Sequence, residues 1–313
     1  MKKFFLILAA TLLSAAAAVA QDMAEATENY NGGAEALQTG DNATALAYFE
    51  AALTMGEACG EEGAGLVNDC KDIIPKVMLA SAQDMIRNED YANALVQLQN
   101  TIDKAQAFGN NPEVVAEASE LIPQIYMQKG NSLLTAKDYA GAIEAYNQVV
   151  ALDSTNGTAL LRLGMAYSVT GKVAEAEQNL TAAMRHGQEG QAVKQLSNLY
   201  LRIAQSCLKA QKYEECIKAA VKSNECKENA NAMYLAGNAA MKLNRPADAI
   251  GYYEQYVAIS PNAKNVNDIY YTIAVLAQQA GDKAKACGYY QKIAGHAKYG
   301  STAKAQITAL GCN

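Results

Sequence analysis

From Gln21 onward the apolar residues recur at helical spacing, in runs broken by short polar turns, and no stretch reads as a convincing strand. The runs come in pairs. The clearest pair extends from Tyr126 to Asp153: Gly130 is followed twelve residues later by Ala142, then by Tyr146 and Val149, with the turn Lys137-Asp138-Tyr139 between. Thirty-four residues on, the order returns as Gly164, Ala176, Leu180 and Ala183. Later copies run Ala204, Cys216, Ala220, Ser223, then Gly237, Ala249, Tyr253, Tyr256, then Ala274, Ala286, Tyr290, Ile293. Earlier ones run Gly33, Ala45, Phe49, Ala52 and Ala82, Ala94, Leu98, Thr101. The chain therefore reads as seven helix pairs.

The small residues suit a crossing of two helices, where a larger side chain would push the backbones apart. The aromatic four residues after the second small position lies one turn along the second helix and is expected to pack towards the next pair. Pro261 stops a helix. One pair cannot bury both of its faces, so pairs must stack. Seven copies in phase resemble the tetratricopeptide repeat (TPR) family over nearly all of the chain after residue 20. The resemblance implies an all-α, right-handed α-solenoid of about seven TPR helix-turn-helix units. It divides the chain into a signal peptide at 1–20, TPR-like units with lengthened helices at 21–121, TPR units at 122–298 and a C-terminal capping helix at 299–313. In that cap Ala303, Ile307 and Leu310 face inwards, with Thr302, Lys304, Gln306 and Thr308 outwards.

Two departures stand out. The repeats are spaced 49 and 48 residues apart at first, then 34, 40, 33 and 37. In the long ones helical pattern continues upstream of Pro75 and Pro123. Either a long first helix bends at each Pro, or a short separate helix ends before it. The fifth repeat has Cys216 and Ala220 where others have Ala and an aromatic, which predicts looser packing.

In the family the first helix of each unit lines a groove. The resemblance places Tyr30, Leu79, Gln83, Arg87, Met127, Asn131 and Arg162 there. It adds Met165, Arg202, Gln205, Tyr234, Asn238, Lys242, Tyr271 and Gln278. Aromatics, Met and Arg are the side chains enriched at protein interfaces. The implied function is a non-catalytic adaptor or scaffold holding a protein or peptide, with self-association as the alternative. Asn131 and Arg162 match two members of a carboxylate clamp found in some relatives, but Met127 stands where a Lys is needed.

Charge and composition narrow this further. Met1-Lys2-Lys3, the apolar run Phe4 to Leu13 and the exit Ala18-Val19-Ala20 form a secretory signal pattern, and no Cys follows the cleavage point. Short, Ala-rich and led by two lysines, the signal reads as bacterial, so an exported, periplasmic protein of the bacterial cell envelope is expected, with the cell surface or secretion as alternatives and no membrane span once the signal is removed. The formal net charge is −6, and losing Lys2 and Lys3 makes it more negative, which argues against nucleic acid.

Seven Cys follow the signal, so one is left over if the rest pair. Cys287 with Cys312 would staple the cap, and Cys59 with Cys70 would close a small loop. Cys207 and Cys216 read as bonded or as buried thiols, and Cys226 as the leftover. There is no Cys-x-x-Cys pair and no zinc spacing. His186 and His296 sit in connecting segments with no triad partners, and neither catalysis nor a cofactor is expected. The Asn-x-Thr sites at Asn42, Asn156 and Asn179 read as chance in a bacterial chain.

Overall fold

The computed structural model describes residues 21–312; the expected signal peptide at 1–20 lies outside them. Every regular element among the described residues is helical. The chain divides between Leu152 and Asp153 into two compact units.

The N-terminal unit holds α1 (residues 21–38), α2 (Asn42–Ala58), α3 (Ala64–Arg87), α4 (Tyr91–Phe108), α5 (Pro112–Thr135) and α6 (Tyr139–Leu152). A short 3-10 turn, Gly60–Gly63, joins α2 to α3. The C-terminal unit holds α7 (Gly157–Val169), α8 (Val173–Ala183), α9 (Glu189–Lys209), α10 (Tyr213–Cys226), α11 (Ala230–Lys242) and α12 (Pro246–Ile259). It ends with α13 (Val266–Gln279), α14 (Lys283–Ile293) and α15 (Gly300–Leu310). Odd-numbered helices from α1 to α13 are the first members of their pairs.

The pairs turn in one way. The residue before each second helix's N-cap adopts positive φ: Gly40, Glu89, Lys137, Gly171, Gln211, Asn244 and Gly281. Four of these residues are not glycine and accept the left-handed conformation at a cost of about 1 kcal/mol each. The next residue caps the helix. Asp41, Asp90, Asp138 and Asp282 accept from the amides of Thr44, Asn93, Gly141 and Lys285. These bonds satisfy N–H groups that the first turn leaves without helical partners.

Where the small residue of a first helix is glycine, it lies under a large side chain of the paired second helix. A Cβ on Gly130 would sit 2.5 Å from the Tyr146 ring, and one on Gly237 2.5 Å from the Tyr253 ring. The aromatic thus fills the gap over its own pair's glycine. Its hydroxyl turns to the same first helix: Tyr146 Oη donates to Asn131 Oδ1 at 2.8 Å, and Tyr253 Oη to Asn238 Oδ1 at 2.8 Å. Each ring is buried and each polar tip is satisfied, as buried tyrosines require.

α3 and α5 are single 24-residue helices that run through Pro75 and Pro123, so the long-helix reading holds and the short separate helices do not form. Pro75 has no N–H to give the Lys71 carbonyl four residues back. Asn111 supplies the missing donor: its Nδ2 lies 3.1 Å from the Lys71 oxygen, and the side chain is almost wholly buried.

Two clusters form the core of the N-terminal unit. One gathers Phe49, Leu53, Cys70, Ile74 and Val77, and the other Leu79, Ala82, Leu98, Ala118 and Ile125. In the C-terminal unit one cluster runs from Ala204 through Met233, Tyr253 and Ile273 to Ala303. α15 closes its end. Ala303 is buried there, and Ile307 and Leu310 pack partly buried against the cluster. Cys287 and Cys312 are joined by a disulfide with Cα atoms 5.6 Å apart, tying the chain two residues past the cap helix to α14.

Candidate functional site

A residue turns about 100° around an α-helix axis, so the repeat register fixes which side chains share a face. With each first helix's small residue as origin, Met165, Arg162, Arg202, Gln205, Tyr234, Asn238, Lys242, Tyr271 and Gln278 fall within about a third of the circumference. Lys194 and Lys209 share that arc on α9; sequence reasoning missed them, although tallying charge helix by helix would have found them. No described helix is long and apolar enough to cross a membrane.

On the N-terminal unit's first helices, Tyr30 is half-buried, with its ring 5.1 Å from that of Phe49 in an edge contact. Gln83 donates to Glu117 Oε1 at 2.9 Å, and Arg87 pairs with Asp84 on its own helix. Met127 is half-buried and Asn131 exposed, with the Asn131 amide oxygen taken by Tyr146. Leu79 lies in the core and is 6% exposed; the long α3 turns this position inwards beside Ala82.

In the C-terminal unit, Arg162 and Met165 are half-buried on α7, and Arg202 and Gln205 are exposed on α9. The Arg202 guanidinium donates to the Ser168 hydroxyl on α7, which brings the two first helices' faces together. Tyr234 is half-buried, with its ring 6.3 Å from Tyr253 and 5.5 Å from Tyr256. Burial pushes the Tyr253 hydroxyl up to about 12, so it stays protonated and donates to Asn238. Lys242 is exposed at the last turn of α11.

The far end of this face is occupied by the chain itself. The Tyr271 ring stacks on Tyr299 at 4.6 Å, and His296 stacks on the same Tyr299 at 5.5 Å. Gln278 accepts from the Tyr290 hydroxyl at 2.8 Å and donates to Gln306 of α15 at 2.9 Å. Asp268 accepts from the Tyr299 hydroxyl and from Lys298 Nζ, the latter at 3.0 Å. Those bonds, the Tyr299 hydroxyl first, hold its carboxyl below the usual carboxylate range. Tyr271 and Gln278 thus serve the docking of the cap.

The remaining cysteines are thiols. Cys59 and Cys70 do not bridge, contrary to the sequence expectation. Cys59 closes α2 at its C-cap, while Cys70 is wholly buried in the α2–α3 core with Phe49 and Ile74. Burial pushes the Cys70 thiol up to about 11, and that of Cys216 likewise, with Cys207 adding a smaller push on Cys216. Such thiols stay protonated at neutral pH and are poor nucleophiles. Cys207 and Cys226 are half-buried and also free. His186 is exposed in the turn Met184–Gln188, and His296 Nδ1 is buried with no hydrogen-bond partner among the described residues. Among the described residues no three His, Cys, Asp or Glu gather as a metal site.

Comparison with known proteins gives the following. Among solved structures, MamA is 22% identical over 58% of this chain and 94% of its own, with a TM-score of 0.36. YrrB, described as a TPR protein with an unusual peptide-binding site, is 18% identical over 59% and 91%, with a TM-score of 0.33. No curated protein matches the chain. Three family models described as tetratricopeptide repeat match residues 133–199, 201–264 and 268–296, together just over half of the sequence. Those segments cover the helix pairs whose small residue, aromatic and left-handed turn recur in register, and the chain belongs to the tetratricopeptide repeat family.

Proposed function

We propose that this protein is an exported adaptor of the bacterial cell envelope that holds a peptide or protein segment against the first-helix face of its C-terminal unit. TPR units act as protein–protein interaction modules, and that coarse role follows from the family. One observation carries the finer reading. Gln205, Arg202 and Lys242 stand exposed in the same arc as half-buried Tyr234 and Met165 on the unit's first helices. Polar and charged tips around half-buried aromatic and Met side chains make an interface, since the apolar bodies gain from being covered and the tips orient the ligand. The reading is non-catalytic: the side chains on this face donate hydrogen bonds and stack. The signal pattern at residues 1–20 supports export.

The test is photocrosslinking in cells, with the reactive residue at Gln205 and a control at Lys218, which is exposed on α10. A discrete partner band from Gln205 and none from Lys218 is expected. Equal crosslinking at both, or none at either, overturns the reading. Fractionation of the same cells tests export, for which removal of residues 2–20 should leave the protein in the cytoplasm.

A further inference from the structure

We infer that the first-helix face of the C-terminal unit binds an acidic protein segment, one rich in Asp and Glu side chains. The inference rests on the proposed interaction face and adds the chemistry of its occupant.

The chain is acidic, with a formal net charge of −6, yet the first helices of the C-terminal unit carry more cations than acids. In the C-terminal unit the first helices carry Arg162, Lys194, Arg202, Lys209 and Lys242, all in the arc described above. The acids on these helices are Glu189 and Asp268. Glu189 opens α9 on another side of the helix, where the dipole favours it. Asp268 is already neutralised by Lys298 and Tyr299. Most of the unit's helical acids lie on the second helices α8, α10 and α12, among them Glu175, Glu177, Glu214, Glu215 and Glu254, although α10 also carries Lys218 and Lys222 and α14 carries Lys283, Lys285 and Lys292.

The five cations are also unneutralised. None of them forms an ion pair among the described residues, whereas Arg245 pairs with Glu214 and Lys285 with Glu254 elsewhere in the unit. Lys209 and Lys242 stand in last helical turns, where the dipole alone favours a cation. Arg162 and Arg202 lie within their helices and lack that reason. Arg202 reaches Ser168, six residues or roughly 9 Å of axial rise along α7 from Arg162, so the two first helices present their cations to one stretch of the same face.

The neutral groups agree. The Asn238 oxygen is occupied by Tyr253, which leaves its NH2 to donate outwards. Arg162, Arg202, Lys242 and Asn238 thus present donors, and the ligand must bring acceptors. Carboxylates fit Arg forks in paired geometry, and the apolar bodies of Tyr234 and Met165 suit the aliphatic stems and neighbours of a peptide. Five cations spread among aromatics and amides in an acidic protein fall short of the continuous basic track that nucleic acid needs.

The purified protein is tested on an array of short peptides graded in Glu content at matched hydrophobicity, alongside a single-stranded oligothymidine. Signal should rise with Glu content, fall steeply with added salt, and drop roughly tenfold or more in an Arg202→Glu, Lys242→Glu variant whose thermal unfolding is unchanged. Signal independent of Glu content, absent binding, or tighter binding to the oligonucleotide overturns the inference. The outcome is separable from that of the crosslinking above. Crosslinks from Gln205 onto segments without acidic residues would sink this inference and leave the interaction face standing, while their absence would sink both.

Discussion

The two compact units share one repeat and complete it with different means. The N-terminal unit lengthens two first helices through Pro75 and Pro123, and pairs cations locally: Lys71 with Glu57, Lys76 with Asp72, Arg87 with Asp84. Its cysteines are buried thiols and its buried tyrosine is Tyr146. The C-terminal unit leaves its first-helix cations without ion pairs and carries the disulfide. It buries Tyr200, Tyr253, Tyr256 and Tyr290. Both keep the left-handed turn and the small residue under the second helix's large side chain. The backbone crossing is therefore the fixed part of the repeat, and helix length, charge and covalent closure vary around it.

The largest expected break in this comparison comes from the disulfide. Replacing Cys287 and Cys312 with Ser opens a loop of 25 residues. It should destabilise the C-terminal unit by about 3 kcal/mol. Hydrogen exchange read by mass spectrometry should show α14 and α15 losing protection while α3 and α4 keep theirs. Equal loss in both units would mean that they unfold as one and that the contrast drawn above is not energetic.

A middle-sized effect tests the N-terminal unit in return. Asn111→Ala strips the Lys71 carbonyl of its donor and should cost about 1–2 kcal/mol in chemical denaturation. In a Pro75→Ala background the helix supplies its own N–H, and the same substitution should cost clearly less. An equal cost in both backgrounds would show that Asn111 stabilises through something other than the carbonyl freed by proline.

The smallest effect is alkaline. Burial raises the hydroxyls of Tyr253 and Tyr289 to about 12, with the Glu254 charge adding to the latter. A tyrosine raised in the folded state contributes stability that is complete below pH about 10 and lost as pH climbs towards its folded value. Near pH 10.5 the loss is under about 1 kcal/mol per tyrosine. It should appear first as weakened protection in α12 to α14, and removing the hydroxyl in Tyr253→Phe should reduce it. Earlier loss in α3 to α6 would contradict the assignment.

Much of the fold was legible because the repeat's signals are local. Glycine sixteen residues before an aromatic, an Asp at the turn and helical spacing through Pro75 all lie in one stretch of chain. The direction in which Tyr146 leans was not legible: four-residue spacing puts it on a face, and only the gap left by Gly130 decides which neighbour it fills. Leu79 was misplaced because its register matches that of Tyr30 and Tyr234, while the lengthened α3 is flanked differently from a regular first helix. Cys59 and Cys70 were close in sequence, and the inward turn of Cys70 broke the inference from separation to pairing. The occupation of Tyr271 and Gln278 by Tyr299 and Gln306 depends on where the cap lies, which no single-repeat pattern encodes.

Asn111 bears on how far such repeats are interchangeable parts. A repeat array invites cutting after each second helix, here after Phe108, and re-joining the pieces in a new order. The helix holding Pro75 is incomplete on those terms, because the donor for its broken rung arrives from the start of the following repeat. The smallest piece that can be transplanted therefore runs past the visible seam to Asn111. Any recombination, natural or engineered, that separates the two residues has to dispose of the proline as well.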